Sequence, residues 1–275
     1  MRIALCLSGQ MRSYRTTIKS VDRFILQPLQ PDVYIHTWEE TGVPKRIFEC
    51  LPWWCKRFPR LVRVQLGRFF DVGSESLNYT DLSIYSPKKI VIEKFENYYY
   101  KSLEGNVLPE HINELEKGRK ALLPMCYKSF ACNELMKSTR VKYDIVIRTR
   151  PDLLHTQHID ERVIKGDDCL WVGNDGINTL YMASDRIAVG APMNIDYVVS
   201  LWRDLQSYFT NIDEKTPFRQ RPFGERLMKQ HLERGRQQGK IKYQYFKSGT
   251  KMQRPVARLS FKNFNKEPFQ DIRND

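Results

Sequence analysis

The hydrophobic positions of this chain fall into short, continuous apolar runs that alternate with longer stretches in which apolar residues recur at helical spacing. Runs of about four to eight residues rich in Ile and Val are typical of strands buried on both faces of a sheet, whereas helical spacing is typical of a helix that buries one face. The predicted strands cover residues 2–7, 32–38, 87–95, 143–149, 170–173 and 180–190, and the predicted helices cover 14–25, 124–136, 195–209 and 225–232. This order predicts an α/β fold, a mixed sheet flanked by helices.

The chain begins with a β-α-β unit, whose helix is predicted to end at Pro28 and Pro31 because proline lacks the N–H that a helix requires. No linker or internal repeat divides the sequence, so we expect a single domain over residues 1–275. Within it, residues 43–106 are predicted to form an irregular, aromatic-rich insert, and residues 262–275 a polar tail.

Charge and composition limit the classes of partner that this protein is expected to bind. The formal net charge of +13 favours nucleic acid, an acidic membrane surface or a phosphate-bearing substrate. The basic residues are spread along the chain and match no nucleic-acid-binding motif, so no nucleic-acid partner is expected. No apolar run is long enough to span a bilayer and no signal peptide is recognised, which predicts a cytoplasmic protein without a transmembrane segment. The six cysteines lack a Cys-x-x-Cys pair, which favours reduced thiols over disulfides or a zinc site.

The strand predicted at 143–149 runs into a cluster of opposite charges, Arg148, Arg150 and Asp152. Ligands of open α/β sheets bind beyond the carboxyl ends of the strands, so these side chains are expected in the binding crevice. They lie two positions apart, and Pro151 keeps the preceding residue extended, so all three are predicted to face one ligand. A surface ion pair is the alternative.

The turn after the first strand contains Ser8, Gly9, Gln10 and Arg12. Glycine allows the backbone to approach a ligand, and the first-turn amides of the next helix, together with Arg12, favour an anion or a polar nucleotide edge. These four residues are therefore candidate nucleotide ligands. The alternative is ordinary turn chemistry with Arg12 in solvent.

Two carboxylates are candidates for a general base. Glu225 lies in the first turn of the last predicted helix, where the helix dipole favours the ionised form, and Asp185 precedes a short apolar strand segment. The alternative for Glu225 is that its charge only complements the helix dipole and that it is not the base. In the helix predicted at 124–136, Tyr127 and Lys128 are expected off the buried stripe, at the surface or near a donor phosphate.

Five motifs follow one another along the chain: Leu7-Ser8-Gly9-Gln10-Met11-Arg12, Tyr34-Ile35-His36-Thr37-Trp38, Pro87-Lys88-Lys89-Ile90, the segment 143–152 and Asp185-Arg186-Ile187-Ala188-Val189-Gly190. With these motifs in this order, the chain resembles small GT-A-type glycosyltransferases that build bacterial capsule, lipopolysaccharide or large-virus glycans. The likeness covers residues 2 to about 232. It implies a GT-A-like, Rossmann-type sheet and a nucleotide-sugar donor, usually a UDP-sugar, at the carboxyl ends of the first strands.

The resemblance also implies roles for single residues. It places Arg150, Pro151 and Asp152 where the Asp-x-Asp motif of that fold binds Mn²⁺ or Mg²⁺ with the donor diphosphate, and Glu225 where these enzymes often carry the base. The first carboxylate of the motif is Arg150 here, which leaves Asp152 as the single expected metal ligand. Either donor phosphates complete the shell of a cation, or Arg148 and Arg150 neutralise the diphosphate themselves.

The expected function is transfer of a sugar from a nucleotide-sugar donor to a hydroxyl of an oligosaccharide or glycoconjugate, with inversion. Arg12 and Arg150 would bind the nucleotide and phosphate, and Glu225 or Asp185 would deprotonate the acceptor. A basic glycine turn at 247–251 either closes over the diphosphate or forms a loop tip. The alternatives are a basic, non-catalytic nucleic-acid-binding protein and a nucleotidyl- or phosphotransferase, which would require several metal carboxylates.

Overall fold

A seven-stranded mixed sheet organises the part of the chain that the structure describes. This structure, a computed structural model, describes residues 1–42, 55, 57–59, 62, 70–71, 75–95, 122–165, 168–174, 182–209, 224–252 and 258–259. Its strands are β1 (Ile3–Gly9), β2 (Asp32–Trp38), β3 (Phe70–Asp71), β4 (Lys89–Glu93), β5 (Ile145–Thr149), β6 (Leu153–His155), β7 (Cys169–Gly173), β8 (Ile187–Gly190), β9 (Lys242–Phe246), β10 (Thr250–Met252) and β11 (Arg258–Leu259). The sheet order is β4-β2-β1-β5-β8-β7-β9, and β10 pairs with β6 and β11 with β3 outside it.

The strands β4, β2, β1 and β5 are parallel, so their carboxyl ends meet at one edge of the sheet. The strand β8 runs antiparallel to β5 and β7, and β9 runs parallel to β7. The amino end of β8 therefore lies at the same edge as the carboxyl ends of its neighbours. This arrangement brings the residues before β8 close to those after β5.

Helices cover both faces of the sheet. They are α1 (Tyr14–Val21), α2 (Tyr79–Leu82), α3 (Leu122–Lys137), α4 (Glu161–Lys165), α5 (Pro192–Phe209) and α6 (Gly224–Gln237). Successive strand residues point to opposite faces, so Leu5 and Leu7 pack with α1 and α4, while Ala4 and Cys6 pack with α3. The helices α5 and α6 complete the α3 side, which gives three layers.

The strand β1 is the point at which the chain connections change direction. The helix α1 carries the chain from β1 to β2 on one side, while β5 pairs with β1 on the other. Leu7 is level with Thr149, so residues 9–12 and residues 150–152 leave the sheet next to each other. In open α/β sheets, such a switch point forms the binding crevice. We call the space between these two turns the crevice.

The first helix is longer than predicted. After α1 the chain continues through a π-helical turn, Asp22–Leu26, into a short helical segment, Gln27–Leu29, and it ends at Gln30, which has a φ of 44°. Of the two prolines predicted to end the helix, Pro28 lies within the helical segment, so that part was wrong, whereas Pro31 follows its end. The wider π-helical turn before Pro28 relieves the clash that a proline ring makes with a regular α-helical turn.

The predicted α/β class is confirmed, and the strands and helices predicted within the described residues are present with shifted ends. The strands β3, β6, β9, β10 and β11 and the short helices α2 and α4 were not predicted. The strand β9 had a sequence signal, since Lys242–Phe246 alternates between exposed and partly buried positions. Most of the predicted insert and the whole of the predicted tail, 262–275, lie outside the described residues. Their boundaries and the single-domain organisation stay predictions.

Candidate functional site

Arg150 lies between two carboxylates at the carboxyl end of β5. Its Nε and Nη2 donate to the two carboxylate oxygens of Asp152 at 3.0 and 2.8 Å, and its Nη1 donates to Asp185 Oδ2 at 3.0 Å. The exposed fractions of these side chains are 17% for Arg150, 4% for Asp152 and 10% for Asp185. Three charge-assisted hydrogen bonds therefore hold a nearly buried guanidinium in a fixed plane.

The two carboxylates keep Arg150 charged. Burial lowers the pKa of Arg150, but the negative charges of Asp152 and then Asp185 raise it by more, so that it lies above its ordinary value. The pairing of Arg150 with Asp185 joins residues 35 positions apart. The prediction placed both residues at strand ends but did not pair them.

Arg148, which lies in β5 two positions before Arg150, also contacts Asp185. It is 3% exposed, its Nη1 donates to the main-chain carbonyl of Asp185 at 2.5 Å, and its Nη2 donates to Ser129 Oγ at 2.6 Å. Burial lowers the pKa of Arg148, although the charge of Asp185 opposes this shift. Because both terminal nitrogens have protein partners and the side chain is buried, Arg148 supports Asp185, and its predicted contact with a ligand stays a prediction.

A small cavity adjoins Arg148 on the side of α3, α5 and α6. It measures about 10 Å³, room for about one water molecule, and its wall includes Arg148, Ser129, Cys126 and Met228. The Nε of Arg148 is buried and has no hydrogen-bond partner among the described residues. The cavity is too small for a substrate.

The turn after β1 borders the crevice. Gly9 has a φ of 114°, which favours glycine, and an added Cβ there would meet no heavy atom of the described residues within 4 Å. The Nη2 of Arg12 donates to Gln10 Oε1. The side chain of Gln10 packs on Gly42, where a Cβ would lie 2.5 Å from Gln10 Nε2. Ser8 is buried, with its Oγ 3.4 Å from Ser129 Oγ on α3, so Gly9, Gln10 and Arg12 are the members of the predicted set that line this turn.

Hydrogen bonds fix both turns of the crevice. Thr17 Oγ1, in α1, donates to the main-chain carbonyl of Pro151 at 2.6 Å. Thr37 Oγ1, in β2, donates to the main-chain carbonyl of Gly9 at 2.8 Å. These bonds tie one turn to β2 and the other to α1, and the register of β1 with β5 places the two turns side by side although they are distant in sequence.

Glu225 lies in the first turn of α6, as predicted. The main-chain N–H of Ala183 donates to the main-chain carbonyl of Glu225 at 2.8 Å, so the start of α6 lies beside the segment that leads to Asp185. The side chain of Glu225 is partly exposed. The structure thus places the main chain of Glu225 beside that segment, and its role as a base stays a prediction.

Lys128 is fully buried, so its predicted surface position was wrong. Its Nζ donates to Glu93 Oε2 at 2.8 Å and to the main-chain carbonyl of Thr37 at 2.9 Å, and it lies 3.1 Å from His36 Nδ1. It also lies 3.6 Å from the centroid of the Trp38 ring. Lys128 therefore joins the carboxyl ends of β2 and β4 to α3.

The sequence did contain a signal that Lys128 is buried, namely its spacing from other residues of the packed face of α3. It lies three positions after Met125 and four before Cys132, both of which belong to the packed face of α3. Lysine is rarely buried unless it is paired, and its partner Glu93 is 35 positions away. Burial raises the pKa of Glu93, but the hydrogen bond and charge of Lys128 lower it by more, so that it lies below its ordinary value.

The carboxylates of this site do not fit a divalent cation as they are arranged. Ions such as Mg²⁺ require near-octahedral oxygen coordination. Here both oxygens of Asp152 accept hydrogen bonds from Arg150, and Asp185 shares the same guanidinium. Within the described ranges, no group of three or more His, Cys, Asp and Glu side chains is placed to hold a metal ion. A metal-binding role for Asp152 stays a prediction.

The basic turn at 247–251 packs beside the segment that follows Asp152. The main-chain N–H of Thr156 donates to the carbonyl of Gly249 at 2.9 Å, and Gln157 Nε2 donates to the carbonyl of Lys247 at 2.6 Å. The pairing of β10 with β6 continues this contact. The turn is anchored at the flank of the site and is not a free loop tip.

Five cysteines are described, and all are buried and free of disulfides: Cys6, Cys55, Cys126, Cys132 and Cys169. Cys50 lies outside the described residues. Among the helices that the structure describes, none combines the length and the apolar character needed to cross a bilayer.

Comparison with known proteins adds no family. The chain matches no protein-family model, and no curated protein sequence is similar enough to it to establish a relationship. Conclusions about function therefore depend on the geometry of the crevice and on the five motifs.

Proposed function

We propose that this protein is a glycosyltransferase that binds a nucleotide-sugar, with a UDP-sugar as the first candidate, and transfers the sugar to a hydroxyl of a glycan acceptor with inversion. The observation that carries this proposal is the crevice at the switch point of the sheet. One side is the open glycine turn with Arg12, and the other is the fixed guanidinium of Arg150 with Asp152 and Asp185. A nucleotide diphosphate has the charge and the polar edges that such a crevice favours.

Sugar transfer requires attack by the acceptor oxygen, stabilisation of the leaving diphosphate and removal of the acceptor proton. The acceptor oxygen attacks the anomeric carbon while the bond from that carbon to the diphosphate breaks and its electron pair leaves with the diphosphate. Arg150 stabilises the charge that develops on the leaving group. Glu225, or Asp185 as the competitor, accepts the proton of the acceptor hydroxyl. Attack from the face opposite the leaving group inverts the anomeric centre.

Isothermal titration with UDP and UDP-sugars tests the donor site. We expect binding that Arg12→Ala weakens by at least about tenfold, since a charged contact to phosphate is lost. The matched control is Arg15→Ala, three positions along, whose side chain is 61% exposed and pairs with Glu75 outside the crevice. Absence of binding tighter than about 1 mM for any nucleotide diphosphate would refute the proposal.

A transfer assay with a radiolabelled UDP-sugar panel and an acceptor glycan mixture tests the activity itself. Retention on immobilised DNA that falls steeply with salt, without any thermal shift from nucleotide diphosphates, would instead favour the nucleic-acid-binding alternative.

A further inference from the structure

The guanidinium of Arg150 occupies the position between two carboxylates in which a cation is held. We propose that Arg150 itself performs the task of a divalent cation here, so that the donor diphosphate binds directly to Arg150 and needs no Mn²⁺ or Mg²⁺. This inference rests on the proposed function, and it concerns how that function is carried out.

The hydrogen-bond inventory of Arg150 supports a direct contact. A guanidinium has five N–H groups. Asp152 takes one from Nε and one from Nη2, and Asp185 takes one from Nη1. Among the described residues, two N–H groups of Arg150 remain available, the number that a bidentate contact with phosphate oxygens uses. The side chain of Arg150 is 17% exposed, so part of it faces the protein surface.

The surrounding residues keep Arg150 in place for such a contact. The bidentate pair with Asp152 fixes the plane of the guanidinium, and Thr17 holds the carbonyl of the intervening Pro151. Burial lowers the pKa of Arg150, but the charges of Asp152 and Asp185 raise it by more, which favours the protonated form. A second, divalent charge beside Asp152 would be repelled by this guanidinium. The carboxylates are therefore arranged to hold Arg150, and Arg150 to hold the ligand.

Titration of the wild-type protein with UDP in EDTA and again in Mn²⁺ is the first test. We expect dissociation constants that agree within about threefold, and a loss of at least about thirtyfold for Arg150→Gln in EDTA. The matched control is Arg162→Gln, because Arg162 also pairs with an aspartate two positions away, Asp160, but its side chain is 85% exposed. This control is expected to bind UDP like the wild type.

The second test uses Mn²⁺ alone and thermal unfolding. Arg150→Asp places a third carboxylate beside Asp152 and Asp185 and removes the competing cation. We expect Mn²⁺ to raise the Tm of Arg150→Asp by at least about 3 °C and to leave the wild-type Tm unchanged. A wild-type Tm that rises with Mn²⁺ as much as that of the variant would contradict the inference.

The titration distinguishes failure of the proposed role of Arg150 from failure of the proposed glycosyltransferase function. UDP binding in Mn²⁺ but not in EDTA would overturn the role of Arg150 as the cation and leave the glycosyltransferase proposal standing. No binding under either condition would overturn both. Because this comparison uses the wild-type protein, it remains decisive even if a substitution at Arg150 prevents folding.

Discussion

Arg148 donates a hydrogen bond to the main-chain carbonyl of Asp185 at 2.5 Å, while the side chain of Asp185 pairs with a different arginine, Arg150. The backbone and the carboxylate of Asp185 are therefore held by two guanidinium groups, one on β5 and one just beyond its end. This relationship fixes where the Asp185 carboxylate lies, and it makes Asp185 a serious competitor of Glu225 for the role of base.

Replacing the carboxylates one at a time assigns the base. We expect Glu225→Gln to lower kcat by at least about a hundredfold with donor binding nearly unchanged, because the proton acceptor is lost while the shape is kept. Glu161→Gln is the control, since Glu161 also lies in the first turn of a helix but is 81% exposed. If Glu225→Gln turns over like the wild type and Asp185→Asn is inactive, the base is Asp185.

Asp152 is expected to act through Arg150. Asp152→Asn removes the charge from the bidentate pair, so we expect kcat/KM to fall at least about tenfold and UDP affinity to fall with it. Asp160→Asn, which alters the exposed pair with Arg162, is expected to change neither. Full activity of a folded Asp152→Asn protein would remove Asp152 from the mechanism.

Lys128 is predicted to be essential for stability. Lys128→Met leaves Glu93, whose side chain is 17% exposed, without its cation, so the free energy of unfolding should fall by about 3–5 kcal/mol. Urea denaturation measures this change. The double variant Lys128→Met with Glu93→Gln removes both charges and should recover part of the loss. A single variant as stable as the wild type would show that the pair contributes little.

His231 is predicted to make stability depend on pH. It belongs to α6 and is fully buried against α5, where its Nε2 donates to the carbonyl of Tyr197 at 2.7 Å and its Nδ1 lies 2.9 Å from Tyr208 Oη. Burial lowers the pKa of His231, and although the Tyr197 carbonyl and Asp204 raise it in part, the net pKa lies below its ordinary value.

The unfolded chain therefore binds a proton before the folded one, and stability is lost as the pH falls below about 6.5. Urea denaturation at about pH 7.5 and about pH 5.5 should show a larger loss for the wild type than for His231→Gln. Equal losses in the two proteins would exclude His231 as the cause.

The sequence alone placed six of the seven strands of the mixed sheet along the chain, and it placed the charged residues at strand ends. Continuous apolar runs placed β1, β2 and β5, and the switch from apolar to charged residues placed Arg150 and Asp152 just beyond β5. These features were predictable because side-chain periodicity and the end of a buried strand are local properties of the chain.

The tertiary structure decided which charges meet. Asp185 meets Arg150 because β8 runs antiparallel beside β5, and Lys128 is buried because Glu93, on an adjacent layer, compensates its charge. Arg148 lies two positions before Arg150 and was therefore predicted to point the same way. Instead it holds the main chain of Asp185, because Ser129 and the Asp185 carbonyl are within hydrogen-bond distance. Charged side chains find partners far away in sequence, and local periodicity carries no information about such partners.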